Sequence, residues 1–136
     1  VSPAMHEEFA LRYERRWLER FGLTYYGCCE PLHLKLGILD SVPNLRKVSM
    51  SPWARLDWAV ERAGARYVYS VKPSPAPFAE DVWHPERMRA DLERSLEQTR
   101  GVAVEVIMKD ISTMRYQPQR LWEWAEIAAE VTARYA

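Results

Sequence analysis

Val102-Ala103-Val104-Glu105-Val106-Ile107-Met108-Lys109 follows Gly101 and is the most hydrophobic strand-like stretch of the chain. Side chains of a strand alternate between its two faces. Val104, Val106 and Met108 therefore form an apolar set that should meet helices. Glu105, Ile107 and Lys109 point the other way. A sheet covered by helices on both sides is apolar on both faces, so a carboxylate and an ammonium on one face argue against that arrangement. The same rule sorts the strands upstream. Tyr67, Tyr69 and Val71 oppose Val68, Ser70 and Lys72; Val48 and Met50 oppose Ser49 and Ser51; Tyr26, Cys28 and Glu30 oppose Tyr25, Gly27 and Cys29.

The surrounding pattern predicts strands over residues 23–28, 46–51, 66–71 and 102–108, each followed by a helix. Ser2-Pro3 offers a cap and a first-turn proline for an N-terminal helix running to Gly22, with Phe9, Tyr13, Trp17 and Phe21 as one apolar stripe. Residues 31–40 make a short helix with Leu32, Leu36 and Leu39 inward, before a turn at Pro43-Asn44. Ser51-Pro52 caps a helix burying Leu56, Ala59, Val60 and Ala63, which Gly64 stops. Residues 72–77 contain three prolines and read as a stiff loop. Residues 85–100 form a charged helix with Met88, Leu92 and Leu96 as its stripe. After a polar loop over 109–117, the last helix starts at Pro118 and buries Leu121, Trp124, Ala125, Ala128 and Val131.

Strands alternating with helices imply an α/β fold with a parallel sheet and right-handed crossovers that place the helices outside. One polar face, strongest toward the C-terminal strand ends, suits the inside of a barrel whose top carries the chemistry. Four such strands make half of a TIM (β/α)8 barrel with an extra N-terminal helix, in one domain spanning 1–136. A buried Glu105 would cost several kcal/mol unless paired, and Lys72 or Lys109 is the expected partner. Surface residues on an incompletely covered sheet, or structural ion pairs, are the other reading of this face.

Nineteen Lys and Arg balance nineteen Asp and Glu among 136 residues. A net charge of zero gives no field for nucleic acid or an anionic membrane. No apolar run approaches the roughly 20 residues of a membrane span, and Val1-Ser2-Pro3 does not open a signal peptide. Two adjacent cysteines are no disulfide framework, so the expected location is cytoplasmic. A start at Val1 suggests a piece or processed form of a longer protein.

Tyr25-Tyr26-Gly27-Cys28-Cys29-Glu30 crowds thiols and an acid into one strand end. Together with Leu18-Glu19-Arg20-Phe21-Gly22, Ser49-Met50-Ser51-Pro52-Trp53 and Lys109-Asp110-Ile111-Ser112-Thr113, it resembles the C-terminal half of uroporphyrinogen decarboxylase-like proteins. That superfamily also holds corrinoid-dependent methyltransferases and is similar to the catalytic domain of cobalamin-independent methionine synthase. The resemblance implies strands five to eight of a barrel, and methyl transfer or decarboxylation of a small carboxylated or tetrapyrrole-like substrate.

In the methyltransferases a His-x-Cys pair and a later cysteine hold zinc. With Cys28 in the cysteine position Tyr26 replaces the histidine; with Cys29 there, Gly27 does; and no later cysteine exists. A zinc site would have to use Cys28, Glu30 and His33, and a corrinoid would arrive on a partner. Small buried cysteines packed near a glycine are the alternative.

The remaining candidates are Cys28, Lys109 and Asp110 as catalytic groups. Tyr26, Ser49, Ser51, Trp53, Lys72, Glu105 and Arg115 would line the substrate site, the lysines and Arg115 clamping a carboxylate or phosphate. His6 and His84, near helix starts, read as surface residues. Four strands leave two open edges. Either a second copy, forming a homodimer, or a missing N-terminal half would complete the barrel; a non-catalytic, self-associating half-domain is the alternative.

Overall fold

Four strands, Thr24–Tyr26 (β1), Leu45–Met50 (β2), Val68–Val71 (β3) and Val104–Val106 (β4), pair in parallel in the order β1-β2-β3-β4. The computed structural model describes every residue, Val1–Ala136. Strands adjacent in sequence are adjacent in the sheet, so each connection has to climb over one face and return. Helices do this. The chain opens with Pro3–His6 (α1), a π-helical turn at Glu7–Leu11 and Arg12–Leu18 (α2). A 3-10 turn at Leu32–Lys35 and Leu36–Leu39 (α3) join β1 to β2, and Leu56–Ala63 (α4) joins β2 to β3. Ala76–Ala79 (α5) and Pro85–Gln98 (α6) lead to β4, and Gln119–Ala133 (α7) follows it. No helix is long and apolar enough to cross a membrane.

The core lies on one side of the sheet only. Tyr26, Val48, Met50, Tyr69 and Val71 pack with Leu11, Leu32, Leu36, Leu39, Leu56 and Ala59. Val104 and Val106 pack with Leu92, Leu96, Ile127 and Val131. These strand residues are the apolar sets that alternation assigns. Ser49, Ser70 and Glu105 face away from every helix.

Several boundaries differ from the sequence reading. β4 is shorter than 102–108 and half-buried, because it is an edge strand hydrogen-bonded to β3 alone. Ser51-Pro52 does not cap α4, which begins at Leu56; Ser51 instead closes a turn through the Ala54 N–H at 2.9 Å. Gly64 does end that helix, with φ 54° and ψ −138°, a conformation open to glycine. The proline-rich segment carries α5, which buries Phe78 completely. In α7 the inward positions are Trp124, Ile127 and Val131 together with Arg120, while Ala125 is exposed.

The N-terminal helix departs most. Phe9, Tyr13, Trp17 and Phe21 are 69%, 55%, 65% and 61% exposed. Its buried face carries His6 and Leu11, which are five residues apart. On an α-helix that spacing diverges, and the π turn between them brings both onto one side. Tyr26 donates to Glu14, so His6 Nε2 donates to the Tyr26 oxygen at 2.6 Å and His6 Nδ1 accepts from Lys35 Nζ at 2.9 Å. His6 is thus buried and neutral, not a surface group; burial and the Lys35 charge both lower its pKa.

Arg120 is 1% exposed and has no carboxylate partner. It donates instead to the carbonyls of Phe78 at 2.9 Å, Glu80 at 2.7 Å and Asp81 at 3.1 Å, and to Gln117 Oε1 at 3.1 Å. This one side chain fastens the segment after α5 to α7. Replacing it strands three carbonyls, so Arg120→Met should lose about 3 kcal/mol in urea unfolding. Exposed Glu126→Gln on the same helix should stay within about 0.5 kcal/mol of wild type.

Candidate functional site

The uncovered face of the sheet is polar, and its residues come together. Ser49 pairs in register with Ser70, and Ser70 with Glu105. Both serines are fully buried. Lys47 Nζ reaches across β3 to Glu105 at 2.9 and 3.1 Å, and Ser70 Oγ donates to the same carboxylate at 2.8 Å. Tyr25 reaches across β2, its hydroxyl 3.5 Å from Ser70 Oγ, and Lys47 Nζ stands 4.6 Å from the centre of its ring.

Strands lie about 4.8 Å apart, so residues just beyond β1 and β4 are separated by roughly 14 Å across the sheet. Their side chains close that gap: Lys109 Nζ lies 3.6 Å from Cys29 Sγ. Groups from the two outer strands thus meet over the C-terminal end of the open face.

The electrostatics follow from this packing. The Lys47 hydrogen bond, aided by Ser70, holds the Glu105 carboxyl below its ordinary value against the opposing effect of burial. Burial alone would raise the Tyr25 phenol, but hydrogen bonds with Ser70, Ser49 and Lys72 outweigh it and the pKa falls. Lys72 makes no ion pair within 4 Å. Lys109 lies 3.8 Å from Asp110, which is almost wholly exposed.

Above Lys109 is a cleft of about 270 Å³, lined by Trp53, Ser74, Pro75, Ser112 and Thr113 among others. A second cleft of about 290 Å³ opens on the helix side, between the strand ends and α6, where Met50, Val71, Met88, Asp91 and Arg94 line it together with Ser51 and Lys72; it shares Pro52 and Ser74 with the first. The hollow that borders the open face at the C-terminal strand ends is therefore the one that Lys109 lines.

Of the residues singled out from sequence, Ser49, Ser51, Trp53, Lys72, Glu105, Lys109 and Asp110 lie on this face or at its rim. Ser51 and Ser49 also brace β1, donating to the carbonyls of Glu30 and Cys28 at 3.4 Å each. Tyr26 and Cys28 lie on the helix side, Tyr26 in the His6 network and Cys28 against the core. Arg115 stands apart, paired with Asp81. The partner of Glu105 is Lys47, not Lys72 or Lys109. Cys29, Tyr25 and Lys47 went unselected, although the alternation of β1 and β2 places them on this face.

Cys28, Glu30 and His33 do not converge. Glu30 is bound by Lys35 and the Val1 ammonium, the Lys35 hydrogen bond holding its carboxyl down to about 2. His33 is buried, accepts the Arg55 N–H at 3.4 Å and packs edge-on to Trp58; burial and then Arg55 lower its pKa. No group of three or more His, Cys, Asp or Glu side chains is placed to hold a metal ion, so the proposed zinc set does not fit. No protein-family model matches the chain, and a search of curated proteins returns no match.

Because the folded pKa of Glu105 is depressed, its contribution to stability is present above its ordinary 4.5 and lost as pH falls through the lower folded value. Glu105→Gln should therefore cost about 1 kcal/mol at pH 7, the modest figure reflecting partial exposure. Urea unfolding curves of the two proteins should converge in acid, below 4.5.

Proposed function

We propose that this chain is half of a (β/α)8-type barrel, of the uroporphyrinogen decarboxylase-like kind, whose polar face and C-terminal strand ends bind a small molecule bearing carboxylates. The observation that carries this reading is a polar sheet face that bears Lys72 and ends in a cleft lined by Lys109. Helices on one side only and consecutive strand order also support it, since both are what a closed barrel requires of each of its halves.

Within that reading, Lys72 and Lys109 hold substrate carboxylates by charge-assisted hydrogen bonds. Glu105 is committed to Lys47 and Ser70 and keeps the floor rigid. Decarboxylation is the reaction these groups suit. The bond from carbon to the departing carboxylate breaks, its electron pair stays on carbon, CO2 leaves, and the Lys109 ammonium both stabilises the carbanion and supplies its proton. Methyl transfer gains no support from the thiols, because Cys28 packs into the core and Cys29 stands beside Lys109 without other metal ligands. The remaining barrel strands come from a second copy or from a separate N-terminal half.

Calorimetric titration with citrate tests the site without knowledge of the true substrate. Saturable binding that Lys72→Ala and Lys109→Ala each weaken by about tenfold or more is expected, with Arg115→Ala unaffected. Binding indifferent to both lysines, or none by the assembled protein, would sink the proposal.

A further inference from the structure

The N-terminal helix carries a surface that the barrel reading does not use. Phe9, Tyr13 and Trp17 follow one another at four-residue spacing on the side away from Leu11 and Leu18, and all are more than half exposed; Phe21 continues the line in the turn after α2. Aromatic side chains offer roughly 150–250 Å² each, so four at this exposure present roughly 500 Å² of ring surface per copy. Two copies would bury about 1,000 Å² through the rings alone, the lower bound for a specific protein interface.

The charges beside the stripe are distributed unevenly. Glu7 and Glu8 lie toward its start, and Arg12, Arg16 and Arg20 run toward its end. The arginines flank the rings directly: the Arg20 guanidinium is 4.9 Å from the Trp17 ring centre and that of Arg12 is 5.9 Å from Tyr13. All five charges are exposed, and none makes an ion pair within the chain. On α6 and α7, by contrast, Arg89 and Arg134 are paired with Glu130 and Glu93. Beside the rings the unpaired charges are thus acidic toward the start and basic toward the end, with Glu14 turned inward to Tyr26 and Glu19 the one further acid of the last turn.

We propose that this seam is a homodimer interface in which two copies of the N-terminal helix pack antiparallel about a twofold axis near Tyr13. In that register Phe9 meets Trp17 of the second copy, and Glu8 falls between Arg16 and Arg20 of the second copy. A parallel arrangement would set like charges against one another, so the charge pattern selects the antiparallel one. The contact is separate from the edges β1 and β4 that a barrel would close, and it does not depend on the citrate site.

Light scattering on the purified chain, over a series of concentrations, reads the assembly directly. The wild-type chain should be dimeric, and Trp17→Glu should weaken the dimer by about tenfold or more. The decisive experiment mixes two charge variants. Glu7→Lys with Glu8→Lys makes the acidic start of one helix basic; Arg16→Glu with Arg20→Glu makes the basic end of the other acidic. Each variant alone should be monomeric, and an equimolar mixture should have the mass of a dimer. Circular dichroism should match wild type, because every substituted side chain is exposed. A monomeric or open-endedly aggregating wild type would overturn the proposal. So would a dimer that persists in both charge variants, which would place the contact at the sheet edges.

Discussion

Glu105 sits on the open face of the sheet with Lys47 reaching it over Ser70. A carboxylate on a partly covered sheet face is costly to desolvate, and its partner here lies two strands away. The long lysine side chain spans that distance. The two residues between the ions are small: Ser49 and Ser70, in register and fully buried, leave room for the longer side chains on either side to lean together. Large residues at those two positions would push Tyr25, Lys47 and Glu105 apart. The ion pair and the central serines are therefore one constraint. The helices, confined to the other face, supply the core that holds it.

Much of this was legible in the sequence because strand alternation is a strict rule. Val104 and Val106 against Glu105, or Tyr69 and Val71 against Ser70, could be assigned to faces without coordinates, and all four parallel strands could be placed. What alternation cannot give is which charges meet, since that depends on side-chain reach and strand order together. Lys72 and Lys109 looked nearer to Glu105 along the chain and the strand ends, yet Lys47, two residues below its level on β2, reaches it diagonally across β3. The same limit applied to the two cysteines. Their opposite faces could be read, but not that Cys29 would meet Lys109 while Cys28 joined the core.

The N-terminal helix misled for a different reason. A four-residue repeat of aromatics is the usual mark of a buried stripe, and here the burial falls on the opposite face. The anchor is polar. His6, Tyr26, Glu14 and Lys35 form a chain of hydrogen bonds in which each donor has an acceptor, and the π turn supplies the phase that sets His6 beside Leu11. Hydrophobic periodicity carries no information about such a network, nor about an inserted residue in the helix. Arg120 was hidden in the same way: an arginine among the apolar positions of α7 gives no sign that three backbone carbonyls wait for it.

The Arg120 clamp also bears on the order in which the molecule assembles. The carbonyls of Phe78, Glu80 and Asp81 belong to a segment between β3 and α6, whereas the guanidinium arrives from α7, some forty residues later. Until the last helix docks, those carbonyls are left to water and the segment has little to fix its path, apart from the packing of Phe78 and the exposed Glu80–Arg87 ion pair. The rim of the strand ends is thus finished by the C-terminal helix. On a ribosome the loop over the clefts would take its shape only after the rest of the sheet already exists, and a chain shortened at its far end would lose the roof of the site before losing its floor.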